Sequence, residues 1–300
     1  MKPVVGIVGL GIMGGAMAEA LRAQGYEVTG YDVAQAPQER LARAGGRPLA
    51  SATAVAESAD VVIVSVATSA ALADAAAKIA AARRVSGAPR LVVIETSTLP
   101  VADKEAAFVQ LAAAGAGVLD CPISGTAVRM KERAWTIFVS GDAADHERVR
   151  PILAVFADNA PYVGAYGNGT KMKFIANHLV AIYNVAYGET MTFARKMGLD
   201  PQQVWDLFAQ SPVIGTGVFK LRGKMMVERR YSPPTMKVEV WQKDMQVIGD
   251  MAKSVDCPTP LFTACMPVYT AAMAQGLAQQ DTASVCEVFG RAAGIPPADR

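Results

Sequence analysis

Val4-Val5-Gly6-Ile7-Val8 runs directly into Gly9-Leu10-Gly11-Ile12-Met13-Gly14, and this junction decides the fold. The apolar run suits a strand buried on both faces of a parallel sheet. Met13 to Ala23 has helical character, Gly25 stops it, and Tyr26 to Tyr31 reads as a second strand ending at Asp32. Strand, Gly-x-Gly-x-x-Gly, helix, strand, acid is the order of a dinucleotide-binding unit. Gly9 permits the tight turn, Gly11 lets backbone approach a pyrophosphate, and Gly14 lets helix pack on strand. The backbone from Leu10 through Ile12 and Met13 brings N–H groups and the positive end of a helix to the phosphates. Asp32 can accept bonds from both ribose hydroxyls and would repel a 2′-phosphate, so the expected cofactor is NAD, with NADP as the alternative.

The αβ alternation continues outward from there. Thr53 to Ser58 reads as a helix, Val61 to Val66 as a strand, Ala70 to Ala82 as a helix and Leu91 to Glu95 as a strand, with another helix starting at Pro100. Gly117 to Asp120 is the next strand, and Trp135 to Ser140 and Ala160 to Val163 flank a helix over Ala143 to Phe156. Ala67-Thr68 and Ser97-Thr98 fall at strand ends, where open parallel sheets bind ligands; they equally suit N-caps, and the two roles coexist. After Asp120, the hydroxyls of Ser124 and Thr126 and the backbone N–H of Gly125 suit a carboxylate. A boundary at Gly164 to Gly169 predicts an α/β fold in two parts. Residues 1–164 form a Rossmann domain with a doubly wound parallel sheet, and residues 165–300 an all-helical domain.

Gly167-Asn168-Gly169-Thr170-Lys171-Met172-Lys173 then begins a proline-free stretch that runs to Gly198, the signature of one long helix joining the two domains. Lys173 and Asn177 are four residues apart near its start and share one face. On spacing alone they read equally as a solvated lysine beside an amide and as a pair acting on a substrate hydroxyl. Beyond the helix the strands stop. Helices are expected over Pro201 to Ala209, Thr216 to Glu228, Val240 to Val255, Pro260 to Ala278 and Thr282 to Ala293, with the longest loop at Arg229 to Val238. Phe219, Trp241 and that loop are candidates to line a substrate pocket.

Composition narrows the function classes. Hydrophobic residues are 52% and charged ones 19% of 300, which supplies a sizeable core, and a net charge of +2 offers no broad basic field. Nucleic acid and membrane are therefore not expected partners; a small anion is compatible. The four cysteines lack metal spacing, and without a secretory segment they read as reduced thiols in the cytoplasm. Of two histidines, His146 lies in a charged run expected to be a solvated helix face, and His178 is expected to pack or cap, so no metal site is predicted.

These motifs, in this order, resemble those of the β-hydroxyacid dehydrogenases, the group of 3-hydroxyisobutyrate dehydrogenase, tartronate semialdehyde reductase and L-threonate dehydrogenase. Gly9 to Ala18 is similar to the family's dinucleotide motif and Asp120-Cys121-Pro122-Ile123-Ser124-Gly125 to its substrate-binding strand end. Gly167-x-Gly169-x-x-x-Lys173-x-x-x-Asn177 resembles the catalytic stretch, and Lys243-Asp244 the Lys-Asp pair near the nicotinamide. The chain departs at Thr126, where a second glycine is common, at Ala127 to Lys131, and at Ala176, where the family often has Asn or His. The resemblance implies hydride transfer between a small 3-hydroxyacid and nicotinamide. Lys173 would be general acid/base and Asn177 would orient the hydroxyl. Ser124, Gly125 and Thr126 would hold the carboxylate. A lysine's ordinary pKa is about 10.4, so base service near neutral pH asks for desolvation or neighbouring positive charge. Lys171 is the rival, but Ile175 stands four residues beyond it and supplies no amide. The resemblance also implies a homodimer or homotetramer. Alternatives are an imine or ketone reductase of the same superfamily, against which Lys173 argues, and a dinucleotide-binding sensor without turnover.

Overall fold

The computed structural model describes residues 2–125, 130, 133 and 135–296. It divides into two compact units, Met1–Lys173 and Phe174–Arg300.

The first unit is built on strands β1 (Val5–Val8), β2 (Val28–Tyr31), β3 (Arg47–Pro48), β4 (Val61–Val64), β5 (Val92–Glu95) and β6 (Gly117–Asp120). They pair in the order β3-β2-β1-β4-β5-β6, all parallel, and β9 (Ser140–Gly141) adds to β6 antiparallel. Helices α1 (Ile12–Ala23), α2 (Gln35–Arg43), α3 (Ala52–Ser58), α4 (Ser69–Ala80), α5 (Val101–Ala113) and α6 (Ala143–Leu153) accompany them. Alternate strand residues feed two cores. Ile7, Ile63, Ile94 and Leu119 enter one, and Val62, Val64, Val93 and Val118 enter the other. That two-sided burial is why these strands are apolar without interruption. In-register pairing of Val8 with Tyr31 and Val64, of Val64 with Glu95, and of Glu95 with Asp120 brings the strand ends to one edge.

Several elements differ from expectation. The predicted strand over Trp135 to Ser140 breaks in two. Its first part is β8 (Thr136–Ile137), paired with β7 (Ile123–Ser124); β9 is the second. Ala160 to Val163 forms only a bridge between Val139 and Tyr162, because Pro161 has no N–H to extend a ladder. Helix α2 and strand β3 carry almost no apolar pattern; Leu41 is the buried residue of α2. The charged run on α6 is only half solvated: Glu147 and Arg148 are exposed, but Asp145 and His146 are buried with Val149, Ile152 and Leu153, and His146 stacks on Tyr162 with ring centroids 5.3 Å apart. Burial lowers the His146 pKa and raises that of Asp145.

Helix α7 (Asn168–Lys196) is 29 residues long, about 44 Å at 1.5 Å per residue. The unit boundary falls within it. The second unit continues with α8 (Pro201–Gln210), a π turn at Phe219–Gly223, α9 (Lys224–Glu228), α10 (Val238–Ser254), α11 (Pro260–Ala274), a 3₁₀ turn at Thr282–Ser284 and α12 (Val285–Ala292). The π turn interrupts what the sequence presents as one helix. Phe219 and Trp241 are both buried in this unit. Phe219 is in its core with Met191, Met226 and Cys286, and Trp241 is buried near Tyr269. The loop after α9 is held by Asp281, which accepts bonds from the backbone and hydroxyl of Thr235 and from Arg222. Among the described residues no helix is long and apolar enough to cross a membrane.

Candidate active site

The fingerprint loop shows which of its glycines the protein itself needs. Gly9 has φ +92°, and a Cβ there would lie 2.2 Å from the Ser65 carbonyl oxygen. A Cβ on Gly14 would lie 1.9 Å from the Gly9 carbonyl oxygen. Both are steric requirements of the fold. A Cβ on Gly11 would meet no protein atom within 4 Å, so the chain itself does not require glycine there. Gly11 caps α1 without a side-chain bond, and the first turn carries no acid, so the N-terminal N–H groups at Ile12 and Met13 suit an anion.

A cavity of about 310 Å³ adjoins this loop, lined by Gly9, Gly11, Asp32, Ala67, Thr68 and Asp74 among others. Asp32 does more than face it. Its carboxylate accepts the backbone N–H of Leu10 at 2.7 Å and of Ala34 at 2.9 Å, tying the loop to the end of β2. Each oxygen keeps a lone pair for a ribose hydroxyl. The residues present therefore fit a dinucleotide. The Leu10 N–H is thus engaged by Asp32. Thr68 caps α4, accepting from the Ala71 N–H at 3.2 Å. Ser97 caps nothing: its hydroxyl accepts the Val66 N–H at 3.1 Å, joining the ends of β4 and β5. Pro100, the predicted start, is the N-cap residue of α5, whose first helical residue is Val101, and Thr98 is half-buried just ahead of it.

Beyond β6, Ser124 ends β7 half-buried, and Gly125 follows at φ +159°. A Cβ on Gly125 would lie 2.3 Å from Cδ1 of the buried Trp135, so the indole excludes any other residue. Thr126 lies outside the described residues, as do Ala127 to Arg129 and Lys131.

Lys173 is buried on α7, while its rival Lys171 is exposed. Asn177, one turn further on, is also buried and donates from Nδ2 to Asp244 at 3.1 Å. Asp244 pairs in turn with Lys243 at 3.2 Å. Asn177, Asp244 and Lys243 thus form one chain of contacts. His178 packs, stacking on Phe262 at 5.1 Å. A larger open cavity, about 640 Å³, lies in the second unit beside Asp256, Cys257 and Phe262 and holds none of these residues. Among the described residues no cluster of metal-ligating side chains occurs.

One residue, Lys104, had no part in the sequence reading. Lys104 on α5 is 1% exposed, and its ammonium meets Glu95 and Asp120 at 2.6 Å each, the Thr170 hydroxyl at 2.7 Å and the Ser97 carbonyl at 2.9 Å. Burial works against its charge, but the two carboxylates more than offset that and raise its pKa. The only advance signal was an acid at the end of each of two neighbouring strands, Glu95 and Asp120.

Comparison with known proteins agrees with this geometry. A family model described as the NAD binding domain of 6-phosphogluconate dehydrogenase matches residues 4–164. A second, described as NAD-binding of NADP-dependent 3-hydroxyisobutyrate dehydrogenase, matches residues 167–289. L-Threonate dehydrogenase of Cupriavidus necator is 30% identical over 96% of this chain and 97% of its own length. The chain belongs to the β-hydroxyacid dehydrogenase family. The 2-hydroxy-3-oxopropionate reductase of Escherichia coli is 27% identical over 95% of this chain and 96% of its own. Mycobacterium tuberculosis 3-hydroxyisobutyrate dehydrogenase, solved with L-serine, has a TM-score of 0.86 at 25% identity, covering 96% of this chain and 99% of that one. Membership makes this chain an NAD(P)-dependent hydroxyacid oxidoreductase.

Proposed function

We propose that the chain oxidises a short 3-hydroxycarboxylate, or reduces the matching aldehyde or ketone, with NAD preferred over NADP and Lys173 as general acid/base. The observation that carries this is α7: a buried lysine one turn before a buried asparagine whose amide is held by Asp244. A carboxylate only accepts, so it fixes the nitrogen side of Asn177 toward itself and leaves the amide oxygen for a substrate hydroxyl. NAD(P), when bound, takes or returns the hydride at the carbinol carbon. Lys173 takes the hydroxyl proton as the C–O bond gains double-bond character, and returns it in reduction. Ser124 and the Gly125 N–H hold the substrate carboxylate, which sets the carbon that faces the cofactor. The NAD preference rests on Asp32, whose charge meets a 2′-phosphate unfavourably. L-Threonate and 2-hydroxy-3-oxopropionate, named for the relatives, are the first substrates to try. The test is cofactor absorbance against a panel of short 3-hydroxyacids and their neutral alcohols. Turnover confined to the acids is expected, and equal activity on a neutral alcohol refutes the carboxylate site.

A further inference from the structure

Lys104 does not line the cofactor cavity, yet it binds both strand ends and the start of α7. Its ammonium has three donors and four acceptors within 2.9 Å: Glu95, Asp120, Ser97 and Thr170. Asp120 extends the contact to the helix, accepting the Thr170 hydroxyl at 2.8 Å and its backbone N–H at 2.7 Å. Ser140 accepts the Gly169 N–H at 2.9 Å and donates to Asp120. A Cβ on Gly169 would lie 2.4 Å from the Phe138 carbonyl oxygen, so the helix start sits directly on the backbone after β8. Two carboxylates against one ammonium leave a negative excess, and it faces the positive end of α7.

Capping a helix requires only the aspartate. Adding a fully buried lysine and a second acid is costly to desolvate, and what such a cluster adds is a fixed geometry. Lys173 stands one turn beyond Thr170 on this same helix. We infer that Lys104 is a positioning residue for the reaction: through Thr170 and Asp120 it fixes the first turn of α7, and so the place of the Lys173 ammonium. The same ammonium holds the Ser97 carbonyl, and the Ser97 hydroxyl joins the ends of β4 and β5 beside the cofactor cavity. One buried group therefore sets the strand ends and the helix start together. This inference rests on Lys173 being the general acid/base.

Thr170→Val tests it, since it keeps the side-chain shape and the backbone N–H cap but deletes the hydroxyl that bridges Lys104 and Asp120. Steady-state kinetics, NAD affinity by fluorescence titration and thermal unfolding are measured for Thr170→Val, Thr170→Ser and Lys173→Ala. The expected result is a fall in kcat of about tenfold for Thr170→Val, a displacement effect on the acid/base group. KM, NAD affinity and the unfolding midpoint stay near wild type, and Thr170→Ser recovers most of the loss. An unchanged kcat in Thr170→Val overturns the inference. So does a joint loss of kcat, NAD affinity and unfolding temperature, because that marks a purely structural role. Full turnover by Lys173→Ala removes the acid/base assignment, and the inference with it. A dead Lys173→Ala beside an intact Thr170→Val sinks the positioning role alone.

Discussion

Replacing Lys104 by Met should be among the most damaging single changes in the first unit, and its pH dependence should identify the reason. The methionine fills similar space but deletes the one cation shared by four acceptors. Glu95 and Asp120 are paired across neighbouring strands, are 1% and 0% exposed, and are then left facing each other without a counter-charge. Breaking a buried ion pair typically costs about 3–5 kcal/mol, and two orphaned carboxylates place this case near the upper end. At about 2–4 °C per kcal/mol for a unit of this size, the unfolding midpoint at pH 7.5 should fall by about 8–20 °C. Desolvation and mutual repulsion raise the carboxyl pKa values in the folded variant above their unfolded values. The folded state then binds more protons than the unfolded one, so the variant loses stability as pH rises and regains it toward pH 5. In the wild type the sign is set by Lys104, whose raised pKa keeps its contribution intact until pH passes the ordinary lysine value. Thermal melts by circular dichroism at pH 5, 6.5 and 8 measure the difference. Adding Glu95→Gln to Lys104→Met restores the cluster's net charge and should return part of the loss at pH 8. A single variant that melts like wild type, or a deficit that does not change with pH, would refute the electrostatic argument.

The remaining expectations concern the cofactor and substrate residues. Asp32→Asn removes the charge proposed to face the ribose and should lower kcat/KM with NAD by about tenfold or more, the worth of a charged hydrogen bond, narrowing the gap to NADP. A wild-type preference for NADP would contradict the role given to Asp32. Lys173→Ala should lower kcat by about 10² to 10⁴, and Lys173→Arg should recover little, because a guanidinium does not release its proton near neutral pH. The exposed Lys171 is the control, and Lys171→Ala should keep kcat; loss there with retention in Lys173→Ala would place the chemistry on the wrong lysine. Ser124→Ala should raise KM more than it lowers kcat, if the hydroxyl binds ground state and transition state alike.

What the sequence made legible, and what it did not, follows from how far apart the partners lie along the chain. The αβ alternation of a parallel sheet and the cofactor loop could be read because their determinants are local: an apolar run, glycines at fixed offsets and an acid at the next strand end. Even there, local pattern could not say why Gly11 differs from Gly9 and Gly14. Only the neighbours supplied by the fold separate a glycine required by backbone from one that leaves room for a ligand. The break at Pro161 and the buried face of α6 are not legible locally for a similar reason: the charged residues Asp145 and His146 read as solvated, and only the distant Tyr162 ring covers His146. The choice of Lys173 over Lys171 came from a four-residue offset, and burial of one with exposure of the other is consistent with it. Lys104 had no such local mark. Its partners are 7, 9, 16 and 66 positions away, so it looked like any lysine on a helix. Position along the sheet edge, not residue type, makes it a candidate for holding the start of α7. Glycine at 169 belongs to the same argument: the motif that names Lys173 contains a residue that sits against the backbone of Asp120 and Phe138, far back in the chain.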